Sequence, residues 1–260
     1  MKNFLFHFAA ALACAAVLPG CVSQTSVHGQ AVNEPAAFDA VRRAQVHNEL
    51  SGAYYQRGQM AVALDEANKA LKEFTNYVPA LSMQGLIYME LGENEKATAS
   101  FEQALSLAPA DSEVLNNFGW FVCQRGDPGK AMGLFQAALK NPLYTTPERA
   151  YLNAGLCARK LGNEAEAETH FLQALKRQPQ LGSALYNMAD LAYKRANTKE
   201  AESFLARYNR ATGNPTVDAL LLGVKVSRAL GDDNSLQSYV QQLKRRFPEA
   251  PQTRQAEESR

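Results

Sequence analysis

The chain has 260 residues, 46% hydrophobic and 20% charged, with a formal net charge of +1. A near-neutral chain without clustered Lys and Arg is not built for a phosphate backbone, so no nucleic-acid partner is expected, nor a polybasic contact with anionic lipid. Four cysteines and four scattered histidines do not form a metal-ligand pattern.

The first element is a leader. Lys2 gives a small positive start, and Phe4 to Leu18 is apolar apart from His7. That stretch is shorter than the about 20 apolar residues a membrane span needs. Leu18-Pro19-Gly20-Cys21 follows. It resembles a bacterial lipobox, in which the peptidase cuts before the cysteine and the cysteine carries lipid. Pro19 stands where Ala or Ser is more usual. Two readings stand here: a lipoprotein signal peptide over residues 1–20 with Cys21 as the lipid attachment site, or a plain secretory leader followed by a chance cysteine. Position, spacing and the apolar stretch favour the first. Loss of Lys2 with the leader brings the net charge from +1 to 0. Val22 and Ser23 follow Cys21 with no Asp beside it. By resemblance to sorted lipoproteins this implies the periplasmic face of the outer membrane, reached through the lipid anchor. No cofactor is expected beyond that covalent lipid.

Residues 21–43 read as the lipidated cysteine and a flexible tether. Val22 to Phe38 is rich in Ser, Gln, Asn, Gly and Pro, and its reach is about 20–25 Å for a chain of that length.

From residue 44 a repeat governs the chain. Ser51, Gly85, Gly119, Gly155, Ala189 and Gly223 are spaced by 34, 34, 36, 34 and 34 residues. Twelve residues after each stands another small residue: Ala63, Ala97, Ala131, Ala167, Ala201 and Ser235. Small residues in both columns suit two helices whose backbones cross closely. The period and pattern resemble the tetratricopeptide repeat, a helix–turn–helix unit. The fold class is therefore all-α, a right-handed superhelical solenoid of six units at 44–77, 78–111, 112–145, 148–181, 182–215 and 216–249. Gly58, Gly92, Gly126 and Gly162 fall in the turns within units, where a left-handed residue ends a helix. Unit six matches loosely, as a terminal cap does. Residues 250–260 read as a polar, frayed C-terminal tail.

The one irregular step lies between units three and four. It holds Asn141-Pro142-Leu143-Tyr144-Thr145-Thr146-Pro147, and a helix can restart with Pro147 at its first position. Cys123 and Cys157 bracket this joint on the first helices of adjacent units. Two readings remain for them: a disulfide in an oxidising compartment, worth about 3–4 kcal/mol by loop entropy, or two small buried core residues. The Cα separation decides, because a bridge requires less than about 7 Å.

By resemblance to the repeat family, first-helix residues line a groove that binds partners. The candidate partner-groove residues are Asn116, Trp120, Arg159, Lys160, Tyr186, Asp190, Tyr193 and Lys194. Aromatic and Arg side chains are frequent interface anchors. Trp120 has a second reading, as plain packing against a neighbouring helix. Arg159, Lys160 and Lys194 suit an acidic peptide, or are a solvated face. Asn117, Asn153 and Asn187 recur at one place and read as structural. No nucleophile has a nearby His and no phosphate loop follows a strand, so no enzyme is expected and no catalytic residue is named.

Leu115 to Gln124, the joint Asn141-Pro142-Leu143-Tyr144, and Leu152 to Ala158 go beyond the generic repeat pattern. With the lipobox and the paired cysteines they resemble the type IV pilus biogenesis/stability lipoprotein family, called PilW or PilF. The resemblance implies a pilotin: an outer-membrane lipoprotein that binds secretin subunits and promotes their localisation and multimerisation, monomeric apart from that partner. The alternative is a periplasmic scaffold for cell-wall enzymes or outer-membrane protein assembly.

Overall fold

Residues 34 to 258 are described by the computed structural model of the protein, so Cys21, the leader and most of the expected tether lie outside the described residues. Thirteen helices and no strand occur among the described residues. Six pairs make the units: α1 (Glu34–Gln56) with α2 (Met60–Glu73), α3 (Val78–Glu90) with α4 (Asn94–Leu107), α5 (Ser112–Gln124) with α6 (Pro128–Leu139), α7 (Pro147–Lys160) with α8 (Glu164–Arg177), α9 (Gly182–Lys194) with α10 (Thr198–Ala211), and α11 (Val217–Leu230) with α12 (Asp233–Arg246). A last helix, α13 (Pro251–Glu258), follows.

Local signals set the helix ends. Side-chain oxygens of Asp111, Asp127, Asn163, Thr216 and Asp232 accept from backbone N–H groups three residues on, satisfying donors the helix leaves open. Pro147 opens α7 as its spacing predicts. The turn glycines at 58, 92, 126 and 162 have φ between 72° and 93°, the left-handed conformation expected of them.

The first small-residue column has a more specific cause than close backbones. A Cβ added at Gly85 would lie 2.6 Å from the Phe101 ring, at Gly119 2.8 Å from Phe135, at Gly155 2.5 Å from Phe171, and at Gly223 2.6 Å from Tyr239. Each glycine is the floor under an aromatic ring sixteen residues later. Phe101, Phe135 and Phe171 are fully buried there. Where the later residue shrinks, the earlier one grows: Leu205 goes with Ala189, and Ala67 with Ser51. The Ser51 hydroxyl donates to the Ala63 carbonyl at 2.7 Å, so its polar atom is satisfied in the core.

Units stack through two sets of contacts. Each second helix packs on the next first helix, and first helices pack on one another, α1 on α3, α3 on α5, α5 on α7 and α9 on α11. In the joint between units three and four, Asn141 Oδ1 accepts from Leu143 N at 3.0 Å and Asn141 Nδ2 donates to Ser112 Oγ at 3.3 Å. This turn buries Tyr144 and leaves Leu143 83% exposed. Burial pushes the Tyr144 hydroxyl up to about 12. Cys123 and Cys157 are both buried and joined in a disulfide from α5 to α7, with their Cα atoms 6.0 Å apart.

Two boundaries differ from the sequence reading. Residues 34–43, assigned to the tether, are helical, and α1 runs 23 residues. Ala36, Ala37, Ala40, Arg42 and Arg43 are strong helix formers with no breaker between Pro35 and the unit. The 250–260 tail is not frayed over Pro251–Glu258. Helix α13 begins 34 residues after α11, in register as the start of a seventh unit, and buries Thr253 and Ala256. Gln252 Nε2 donates to Asp218 Oδ1 at 3.0 Å, and Lys244 pairs with Glu257 at 2.7 Å. Unit six is therefore covered on its outer side, and Ala256 joins its core with Leu220, Leu221, Val224 and Leu243.

Candidate protein-binding groove

The first-helix side of the stack is tied by a polar ladder. Asn117 Nδ2 donates to Ser82 Oγ at 3.1 Å, linking α5 to α3. Asn116 Nδ2 donates to Asn117 Oδ1 at 3.3 Å, and Asn153 Nδ2 donates to Asn116 Oδ1 at 3.0 Å, linking α7 to α5. Between α7 and α9 the Arg159 guanidinium forks onto Asn187 Oδ1 and Asp190 Oδ2. Asn187 Nδ2 turns back to the Ser183 carbonyl at 2.7 Å. The recurring asparagines are thus structural rungs, each spanning to or bracing a neighbouring unit.

Asn116 does not face a partner. It is 1% exposed, because α7 approaches α5 closely at the disulfide-linked joint and Asn153 reaches across to it. Lys160 is committed to the fold as well: its ammonium donates to the carbonyls of Cys123 at 3.3 Å and Gln124 at 3.1 Å, and to Gln124 Oε1 at 3.3 Å. A cation at carbonyls that end α5 meets the negative end of the helix dipole. Asp190 lies between Arg159 and Lys194, which approaches it at 3.3 Å. Lys194 also comes within 3.8 Å of Glu164. The basic residues of this face are therefore partly neutralised from within, and an acidic ligand would compete with Asp190 for them.

The aromatic residues hold the rest of the surface. Trp120 is half-buried against the cluster of Phe101, Phe118, Phe121 and Phe135, so both readings apply: part of the indole packs and part stays accessible. Tyr186 and Tyr193 are half-buried on α9 against the core of units four to six, and the Tyr186 ring lies 6.2 Å from that of Tyr208. Burial raises the Tyr186 hydroxyl above its ordinary value, and the Asp190 carboxylate adds to the rise, so the phenol remains a hydrogen-bond donor. Half-buried aromatics beside internally paired charges have the chemistry common in protein interfaces. Among the described residues there is no group of three or more His, Cys, Asp and Glu side chains that holds metal geometry, and no helix is long and apolar enough to cross a membrane. Asn117 and Asn153 read as structural in the sequence, but the place of Asn116 between them did not, because Asn116 is unlike its equivalents, Leu152 and Tyr186, and nothing local marks it as buried.

Comparison with known proteins places this architecture. The tetratricopeptide repeat model matches residues 78–111, and a second tetratricopeptide repeat model matches 124–181 and 152–215. The type IV pilus assembly protein PilF of Pseudomonas aeruginosa is 27% identical over 231 residues, 89% of this chain and 90% of that protein. A solved structure of P. aeruginosa PilF, at 23% identity and TM-score 0.74, covers 85% of this chain and all of that one, and shares its fold. The crystal structure of PilW, described as a widely conserved type IV pilus biogenesis factor, is 32% identical with TM-score 0.70 and covers 82% of this chain and 97% of that one. With a tetratricopeptide stack along the described chain and a relative of that identity spanned almost end to end, this chain belongs to the PilW family of type IV pilus biogenesis factors.

Proposed function

We propose that this protein is a non-enzymatic assembly factor that holds subunits of the type IV pilus secretin on its first-helix face and delivers them to the outer membrane through lipid on Cys21. Membership of the PilW family is the observation that carries the reading. The half-buried aromatics Trp120, Tyr186 and Tyr193 supply anchors of the kind that dominate protein interfaces. A lipid tether would turn a modest affinity into retention at a surface, because it raises the effective concentration of the two partners. Two acyl chains or more give stable attachment where one does not. Tetratricopeptide scaffolds are non-catalytic, and in this reading the chain binds without turning anything over. The role proposed for the disulfide between Cys123 and Cys157 is to keep units three and four, which carry Trp120 and Arg159, in fixed relation. Crosslinkers placed at Trp120 and Tyr186 in cells test the reading. Secretin is the expected adduct at both positions; cell-wall hydrolases or outer-membrane protein assembly components in its place would favour the scaffold alternative and reject this one.

A further inference from the structure

The near-zero net charge conceals how charge is arranged on units four to six. Three stretches, 169–189, 203–217 and 234–248, contain no Asp or Glu. Each runs through the last turns of a second helix, α8, α10 or α12, into the segment after it. Together they hold Lys176, Arg177, Arg207, Arg210, Lys244, Arg245 and Arg246. The acids of the same helices stand in their first two turns: Glu164, Glu166 and Glu168 on α8, Glu200 and Glu202 on α10, and Asp233 on α12. Units one and two lack this pattern, since Glu73 ends α2 and α4 has no basic residue in its last turn. The fold draws the three basic ends together. Arg207 Nη2 donates to the Pro179 carbonyl at 3.1 Å, tying α10 to the turn after α8. Arg246 Nη2 donates to the Pro215 carbonyl at 2.9 Å, tying α12 to the segment after α10. An open depression of about 400 Å³, lined by Pro179, Gln180, Arg207, Arg210 and Ala211, lies at the first of these ties. Lys176, Arg177, Arg210 and Arg245 are exposed and make no hydrogen bond or ion pair among the described residues. Elsewhere a carboxylate answers the charge: Glu73 at Arg43, Glu113 at Arg149, Asp190 at Arg159 and Glu168 at Arg195. The helix dipole accounts for one cation in a last turn. It does not account for three in succession on α12, or for the lack of carboxylates across three adjoining units.

We infer that the edge formed by the C-terminal ends of α8, α10 and α12 docks on the anionic phospholipid of a bilayer surface, with headgroup phosphates meeting Lys176, Arg177, Arg210 and Arg245. Charge spread over three helix ends suits a charged plane, to which each basic residue adds attraction. Other occupants fit less well. A protein interface centres on apolar side chains, and of the large apolar residues in these stretches only Leu172 is exposed. A nucleic acid would look for rings to stack on, but Phe204 and Phe247 are covered by the guanidiniums of Arg207 and Arg246, at 5.4 and 5.2 Å. Sequence composition gave no reason to expect contact with anionic lipid, because the three basic ends are about one repeat apart in the chain and meet only in the stack. The inference rests on the lipid-anchor reading for one thing, a bilayer within reach: 12 residues, 22–33, separate Cys21 from α1. An anchor ahead of unit one and a basic edge on units four to six would hold the stack to the membrane at two places.

Vesicle flotation tests it, with the mature chain, residues 21–260, carrying Cys21→Ala so that no lipid is attached. On phosphatidylethanolamine vesicles with about 30% phosphatidylglycerol, binding at about 0.05 M salt should exceed that on phosphatidylcholine vesicles by about tenfold or more, and should fall to the same level at about 0.5 M salt. Lys176→Gln, Arg177→Gln, Arg210→Gln and Arg245→Gln together should lower binding by about tenfold or more. Arg42→Gln, Lys72→Gln, Arg125→Gln and Lys199→Gln, which remove as much exposed charge outside the patch, should change it by less than about twofold with the melting curve of both sets unchanged. Should the first set melt lower, Arg177→Gln with Arg210→Gln is compared with Arg125→Gln with Lys199→Gln, and a loss of about threefold is expected from the first pair alone. Equal binding to the two kinds of vesicle, equal losses from the two sets, or tighter binding to polyglutamate or duplex DNA than to the anionic vesicles overturns the proposal. The outcome does not depend on lipid at Cys21, whose own test is the Cys21→Ala strain.

Discussion

Ala196 has a φ of 58°, the only positive value at a non-glycine among the described residues. It stands at the turn where units one to four use glycine, and its Cβ pays for a left-handed backbone that glycine adopts freely. Ala196→Gly should raise the unfolding free energy by about 0.5–1 kcal/mol, the strain relieved less the added unfolded-state freedom; urea titration measures it, and no gain would mean the turn is unstrained. His170 makes a second point at this scale. Its Nδ1 is buried without a hydrogen-bond partner, its Nε2 lies 3.8 Å from Glu166, and its ring stands 6.3 Å from that of Tyr151. Burial lowers its pKa below 6.5, outweighing the pull of Glu166. The unfolded chain then binds a proton more readily than the fold, so stability is full above about pH 6.5 and declines as pH falls toward the folded pKa. Unit five has Phe204 at the equivalent place. His170→Phe should flatten the melting temperature as pH falls below about 6.5, and an unchanged slope would show that His170 does not titrate on unfolding.

At the scale of elements, helix pairing depends on matched sizes sixteen residues apart. Gly155→Ala drives a Cβ to within 2.5 Å of the Phe171 ring and should cost about 1–3 kcal/mol by overpacking. Phe171→Leu in the same chain recreates the Ala189–Leu205 pair of unit five, so the double variant should be more stable than the sum of the two single losses by at least about 1 kcal/mol. Additive losses in denaturant titration would refute the size-matching account. The small-residue column was legible in the sequence; its coupling to the side chain sixteen residues later was not, because a periodic pattern shows that a position is constrained and not what it touches. The same limit explains the termini. Residues 34–43 and 251–258 are polar enough to read as tether and tail, and their helices become visible only when Ala44 is found buried and Arg43 paired with Glu73, or when Thr253 and Ala256 are found against α11 and α12. The spacing of Pro251 from Val217, 34 residues, was the available signal for α13.

Across the whole molecule, the period predicted the stack, and its one irregular step predicted where the chain departs from a generic repeat. The candidate site was less legible. Trp120, Tyr186 and Tyr193 lie where the repeat pattern puts them, half-buried on first helices. Asn116 and Lys160 are spent on holding units together, since the face proposed to meet a partner also carries the contacts between neighbouring first helices. The charge expected for an acidic ligand is partly answered by Asp190. What remains for recognition is mainly apolar and aromatic, which suits a tethered protein segment better than a small anion. The central claim joins this stack to the membrane through Cys21. Its most direct measurement is the state and location of the pilus secretin in a deletion strain complemented with Cys21→Ala. The account predicts a folded protein, with secretin left as monomers and absent from the outer membrane; secretin multimers at normal levels in the outer membrane would contradict it.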